Sequence, residues 1–201
     1  MTADPVRLRA GRTLVLAAAL LAGLGGTFAS AGGGHAVPMP AAQGHPTMQQ
    51  QMAMMVQQLR PLTGRTFDLK WTELMMTHHQ MAVDMARTEL MHGTDPAIRA
   101  AAQRVVDTQS REIAQMQDWL KAWTGRDVHP GHMHMAPEGM GGSPDWHFLT
   151  GMLPHHQGAI DMSRLVPART ANAQVRTLAA QIIRDQSAEL RHYREWLRTT
   201  P

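Results

Sequence analysis

Two pairs of adjacent histidines carry the chemistry of this sequence. His78-His79 lies in Met75-Met76-Thr77-His78-His79-Gln80, and His155-His156 lies in Met152-Leu153-Pro154-His155-His156-Gln157. Each pair is followed at the same offsets by Ala, Asp and Met: Ala82, Asp84 and Met85 in the first, Ala159, Asp161 and Met162 in the second. Thioether and imidazole suit Cu(I), while imidazole with carboxylate accommodates Cu(II). Methionine adds little to sites for magnesium, calcium or manganese, and zinc prefers cysteine, histidine and carboxylate. The chain has 17 methionines, 12 histidines and no cysteine, so disulfides and thiolate sites are excluded and His, Met, Asp, Glu and Gln remain as ligands.

The two motifs stand 77 residues apart, and the same register aligns much of the chain. Trp71 falls on Phe148, Ile98 on Val175, Arg99 on Arg176, Gln109 on Gln186, Glu112 on Glu189 and Trp119 on Trp196, with no insertion from Asp68/Asp145 onward. This is an internal duplication. Within each copy the spacing predicts two helices. The first copy has one from about 68 to 91, closed by Gly93, and one opening at Thr94-Asp95-Pro96 and stopping at Gly125. Asp95 supplies a cap, and proline in the first turn needs no backbone donor. Ile98, Ala102, Val105, Gln109, Ile113, Met116 and Leu120 form an amphipathic stripe on the second helix. The second copy predicts helices at about 145–166 and 171–198, with Pro154 removing a backbone donor inside the first of them. No β pattern appears. Two matching hairpins imply an all-α, four-helix bundle with pseudo-twofold symmetry.

At about 100° per residue, Trp71, Met75, His78, Ala82 and Met85 share one helix face, as do Phe148, Met152, His155, Ala159 and Met162. His78 and His155 are therefore expected in the core. His79 and His156 belong at the seam with a neighbouring helix, and Asp84 and Asp161 toward solvent. Gln109 and Gln186 stand at the centre of the partner helices' apolar stripes, with Glu112 and Glu189 to one side. Buried polar groups of this kind need partners, either one another or a metal.

The remaining segments frame this unit. Residues 1–31 read as a secretory signal, with Arg7, Arg9 and Arg12, an apolar run from Thr13 to Leu24 and the A-x-A pattern Ala29-Ser30-Ala31. That run is too short to span a bilayer, so no stable membrane span is expected after cleavage. Residues 32–66 read as a flexible tether with a short Met-rich helix, Thr47 to Leu59, whose Met48, Met52 and Met55 are expected to serve packing. Residues 67–199 form the duplicated bundle: repeat one at 67–124, a linker at 125–143 and repeat two at 144–199. The linker carries His129, His132, Met133, His134 and Met135, an exposed capture site for metal. Loss of the leader removes three arginines and Asp4, leaving 16 basic against 15 acidic residues. No clustered basic face for nucleic acid is present.

The run Gly151-Met152-Leu153-Pro154-His155-His156-Gln157-Gly158-Ala159-Ile160-Asp161-Met162 resembles the hallmark of a bacterial secreted family, the domain of unknown function numbered 305. The first repeat is a looser copy, and Gln109-x-x-Glu112 with Trp119 and Gln186-x-x-Glu189 with Trp196 resemble the family's second motif. The resemblance covers about 67–199 and implies a ferritin-like helical bundle. It also implies kinship with periplasmic copper-binding members that use His and Met. The Glu-x-x-His pairs of di-iron bundles are absent.

The reading that results is an exported, periplasmic or extracellular protein that binds copper, with Cu(I) favoured over Cu(II), and has no enzymatic role. Its ligands would be His78, His79, Met75, Met85, His155, His156, Met152 and Met162. Gln109, Glu112, Gln186, Glu189, Asp84, Asp161 and the linker's His and Met residues are secondary candidates. Two alternatives are a di-metal oxidase or peroxidase using His, Glu112 and Glu189, and a metal-free helical module with a self-paired polar core. A homo-oligomer is compatible with either.

Overall fold

The computed structural model describes residues 46–131 and 141–198. The leader, the start of the tether, and His132, Met133, His134 and Met135 lie outside them. Five helices account for the described residues: α1 (Met48–Leu59), α2 (Gly64–His92), α3 (Pro96–Thr124), α4 (Pro144–Arg169) and α5 (Ala173–Trp196). No strand occurs among these residues. Capping chemistry sets the boundaries. Thr47 and Gln50 form a reciprocal capping box on α1. Asp95 accepts from the amides of Ala97 and Ile98 at the start of α3, and Asn172, its counterpart in repeat two, accepts from Gln174 and Val175 at the start of α5. Gly125 ends α3 with φ 73°, a left-handed conformation that glycine adopts without strain. α4 runs through both Pro154 and Pro167.

α2 pairs with α3 and α4 with α5, as the duplication requires, and α2 and α4 face each other across the pseudo-twofold axis. The repeats also clamp each other's turns. Asp145 at the head of α4 accepts from the amides of Thr94 and Asp95 and from the Thr94 hydroxyl, at 2.8–3.2 Å. Its counterpart Asp68 on α2 accepts from Asn172 Nδ2 at 3.2 Å in the turn of the other hairpin. Arg99 donates to the carbonyls of Leu90 and Gly93, and Arg176 to those of Pro167 and Thr170, the same positions one repeat on.

α1 is the short Met-rich helix expected within 32–66, with Met48, Met52 and Met55 packed as expected, and it joins the bundle as a fifth member. Met48, Met52, Met55 and Leu59 are buried in one cluster with Trp71, Met75, Met76, Met81, Met116 and Met162. The reason lies on α4. A Cβ on Gly158 would come within 2.6–2.9 Å of Met52 Sδ, Cγ and Cβ, so α1 seats directly on the bare backbone there. Repeat one has Met81 at the equivalent position, and α1 accordingly packs chiefly on α4.

Glu89 near the end of α2 is 1% exposed and lacks an arginine or lysine partner in a hydrogen bond or ion pair. Burial, and then the neighbouring Asp145 carboxylate, push its carboxyl up to about 8. Repeat two has Val166 at this position, so the acid is peculiar to repeat one.

Two predictions follow from this packing. G158A meets the Met52 stem and should destabilise by about 1–3 kcal/mol, the usual range for overpacking. G151A meets only Met85 Sδ, at 3.2 Å, and should be near neutral, because alanine's helix propensity offsets the contact; urea unfolding separates the two. For Glu89, the folded state keeps a proton that the unfolded chain releases above about 4.5. The part of the stability that Glu89 contributes should therefore decline as pH rises from about 4.5 to 8, by up to ~1.4 kcal/mol per unit, and is read as the difference between the wild type and E89Q. Melting temperatures of E89Q across that window should show the decline removed.

Candidate metal centre

Four imidazoles line up through the middle of the bundle. The His78 and His155 rings lie 3.7 Å apart between centroids and are tilted by 37°. His79 flanks the first at 6.0 Å and His156 the second at 5.9 Å. All four residues are 0% exposed. The α2/α4 crossing is close enough that each inner ring reaches the other helix's backbone: His78 Nε2 bonds the His155 carbonyl at 3.0 Å and His155 Nε2 bonds the His78 carbonyl at 2.7 Å. A carbonyl only accepts, so both Nε2 atoms carry the proton. The outer rings pair with the partner helices, His79 Nε2 with Glu112 Oε2 and His156 Nε2 with Glu189 Oε2, each at 2.7 Å.

All four Nδ1 atoms are buried without a hydrogen-bond partner. For the inner pair, burial is the main force holding the rings well below their ordinary pKa. The positive charge that a neighbouring ring would carry adds to it, from His155 on His78 and from His156 on His155. Neutral rings with Nε2 protonated leave Nδ1 as a bare lone pair. The centre therefore offers in-plane nitrogen donors in a dry site. Because these rings are already neutral, proton competition for their lone pairs begins further below pH 6.5 than exposed histidine would imply.

The other expected residues separate into groups. Met75, Met152 and Met162 are fully buried; Met85 is half-buried, with its sulfur against Gly151. Gln109 and Gln186 are buried at 3% and 4%, and the Oε1 atom of each lacks a partner. Asp84 and Asp161 face away from the row, accepting from Gln80 and Gln157 one turn earlier. His129 is exposed and bonds Gln117 at 3.4 Å. The linker is nonetheless fastened beside the centre, because the Gly131 amide donates to the Thr77 hydroxyl at 3.1 Å, one residue before His78. Among the described residues, no three His, Asp or Glu side chains converge to hold an ion.

Two features escaped the reading of the sequence. Glu112 also lines an open groove of about 580 Å³ along α3, with Asp118 on the same helix and Gln181 of α5 at its border. Tyr193 lies 5.4 Å from His156 between ring centroids; its hydroxyl is buried without a partner, and burial followed by the Glu189 charge raises its pKa. Its equivalent in repeat one is Met116, so this position holds a thioether in one half and a phenol in the other. The substitution is visible once the two copies are aligned position by position.

Comparison with known proteins agrees with this architecture. Residues 17–142 and 145–201 match the model of DUF305, a domain of unknown function. None of the curated protein sequences matches the chain. CopM in its Cu(I)-bound form is 32% identical, with 66% of this chain and 96% of CopM covered and a TM-score of 0.61. A DUF305 fragment from Deinococcus radiodurans is 25% identical over 67% of this chain and 97% of its own, with a TM-score of 0.55. A DUF305 protein of Streptomyces coelicolor, 24% identical over 64% of this chain and 89% of its own at a TM-score of 0.56, shares the fold.

The inner rings give a pH prediction for the metal-free protein. Their folded pKa values lie below the 6.5 of the unfolded chain, so the folded state binds fewer protons. The rings' contribution to stability should be whole above about 6.5 and fall as pH drops below it, by up to ~1.4 kcal/mol per unit for each ring, against the opposite contribution of Glu89. Urea unfolding at pH 7, 6 and 5 should show this slope, and H155Q should remove one ring's share.

Proposed function

The chain belongs to the DUF305 family, and we propose that it is an exported, non-enzymatic copper-binding protein that sequesters the metal in its buried His/Met core. The observation that carries this reading is the division of labour within the imidazole row. Every Nε2 is engaged in a hydrogen bond, and every Nδ1 is buried with none. A core designed only to pair its polar groups would not leave four buried ring nitrogens unpaired, since each unmet group costs about 1–3 kcal/mol. A bound cation takes such lone pairs.

The identity of the cation follows from the donors. Met75, Met152 and Met162 are buried on the inner rings' own helices, and thioether with imidazole favours Cu(I) among biological ions. Copper on these residues would be a soft ion held by nitrogen and sulfur. CopM has been solved with Cu(I), Cu(II) and silver bound, which supports the reading for a relative of this identity. The chain's own groups orient the donors: Glu112 and Glu189 hold the outer rings by Nε2, as carboxylates do behind metal-bound histidines elsewhere. An oxidase or peroxidase built on carboxylates has less support, because Glu112 and Glu189 sit on opposite ends of the row and each already bonds a ring. Export is supported by the leader pattern at 1–31, and no helix among the described residues is long and apolar enough to cross a membrane. The linker's His132, Met133, His134 and Met135 would act as the exposed capture site.

The test is an anaerobic Cu(I) titration of residues 32–201, read by metal analysis and by melting temperature. Copper should raise the melting temperature, by mass action about 4 kcal/mol at a thousandfold excess over Kd. In H79Q/H156Q, which keeps an amide donor toward each glutamate, the stabilisation should largely disappear. A variant stabilised by copper as much as the parent chain would overturn the assignment.

A further inference from the structure

Glu89 has no part in the imidazole row, yet the turn after α2 is built around its carboxyl. A Cβ on Gly93 would fall 1.8–2.6 Å from Glu89 Oε1, Cδ and Oε2. Gly93 has φ −67°, which any residue adopts, so the glycine is there for room and not for conformation. Repeat two makes the reverse choice, with Val166 in place of the acid and Thr170 in place of the glycine. Glu89 is 1% exposed, and neither carboxyl oxygen has a hydrogen-bond partner among the described residues. The charged groups around it are committed elsewhere. On α3, Arg99 donates to the carbonyls of Leu90 and Gly93, and Asp95 accepts from the amides of Ala97 and Ile98. On α4, the Asp145 carboxylate that faces Glu89 already accepts from the Thr94 and Asp95 amides and the Thr94 hydroxyl.

We propose that Glu89 is a proton-operated latch between the two hairpins: protonated, it donates to Asp145 and holds the head of α4 against the turn at 93–95, and ionised, it repels Asp145 and frees that turn. Two like charges in a buried contact oppose each other, so one of the two carboxyls must keep a proton. The bonds to Asp145 choose which. Burial works against its charge, but the Asp95 and Thr94 donors outweigh burial and hold Asp145 below the ordinary carboxylate range. Glu89, which has no such donors, is the member that carries the proton. The step is the loss of that one proton to solvent, and no other bond is made or broken. The equivalent clamp in the other half has no such control, because Asn172 Nδ2 is the donor to Asp68 and Val166 has no proton to lose. The latch is independent of the copper reading.

The experiment follows two signals in the metal-free chain from about pH 5 to 8. One is the carbon NMR resonance of the Glu89 carboxyl, which should titrate far above an ordinary glutamate. The other is hydrogen-exchange protection of the Thr94 and Asp95 amides, corrected for intrinsic rates. Opening that exposes Glu89 releases its proton, so this protection should fall by up to about tenfold per pH unit. The Thr170 amide, in the corresponding turn of repeat two, should stay level. E89Q keeps a donor toward Asp145 that cannot ionise, and should abolish the slope at Thr94 and Asp95. Where E89Q does not fold, the parent chain's resonance and slope still decide. A Glu89 carboxyl titrating near 4.5, protection without a pH slope, or an unchanged slope in E89Q would each overturn the latch, and none of them bears on copper.

Discussion

The arrangement depends on how closely α2 and α4 cross. Each inner imidazole reaches across to a backbone carbonyl of the opposite helix, and the two bonds are related by the pseudo-twofold axis. Backbone carbonyls in a helix already accept one hydrogen bond and have a second lone pair to offer. Only a side chain rigid and short enough to stay beside the helix axis can use it. Once Nε2 is fixed this way, the tautomer, the ring orientation and the exposure of Nδ1 to dry space all follow. The outer rings repeat the logic with carboxylates in place of carbonyls. Glu112 and Glu189 are not equivalent in surroundings, their side chains being 9% and 33% exposed, so the second pair is nearer to water.

Duplication explains most of the scaffold, and the departures from it explain the rest. Asp68 and Asp145 each brace the other repeat's turn, which makes the hairpins interdependent rather than two beads on a string. Symmetry breaks where one copy lost bulk. Gly151 and Gly158 stand where repeat one has Leu74 and Met81, and both gaps are filled by sulfur from elsewhere, Met85 at the first and Met52 at the second. Glu89 opposite Val166, and Met116 opposite Tyr193, are further departures, and both place chemistry in one half only.

The helices and hairpins were legible because periodicity, caps and the 77-residue register all encode local structure. His78 and His155 were legible as inward residues for the same reason, and their neighbours' pairing with Glu112 and Glu189 could be inferred from the partner helices' faces. The reciprocal bond to a carbonyl could not be read from the sequence. It depends on an interhelical distance that no local pattern specifies, and main-chain acceptors look alike in every sequence. The packing of the α1 methionines was legible, but the place where they dock was not, for a related reason. A glycine within a helix reads as a weakness, and only the approach of Met52 shows it to be a seat.

A row of buried, half-satisfied imidazoles is costly to keep in a marginally stable bundle. Folding energy of a small domain is about 5–15 kcal/mol, and four buried ring nitrogens without partners, at about 1–3 kcal/mol each, are a large fraction of it. Selection for stability alone would replace such rings with apolar residues or pair them fully, as buried ionic groups elsewhere can be replaced without loss. They stand in both copies of the duplication, so each half carries the same cost, and a bound ion, as proposed above, would recover it from both halves at once. The methionine-rich core is compatible with that proposal, because a thioether packs like a hydrocarbon and would also be a soft donor to an ion.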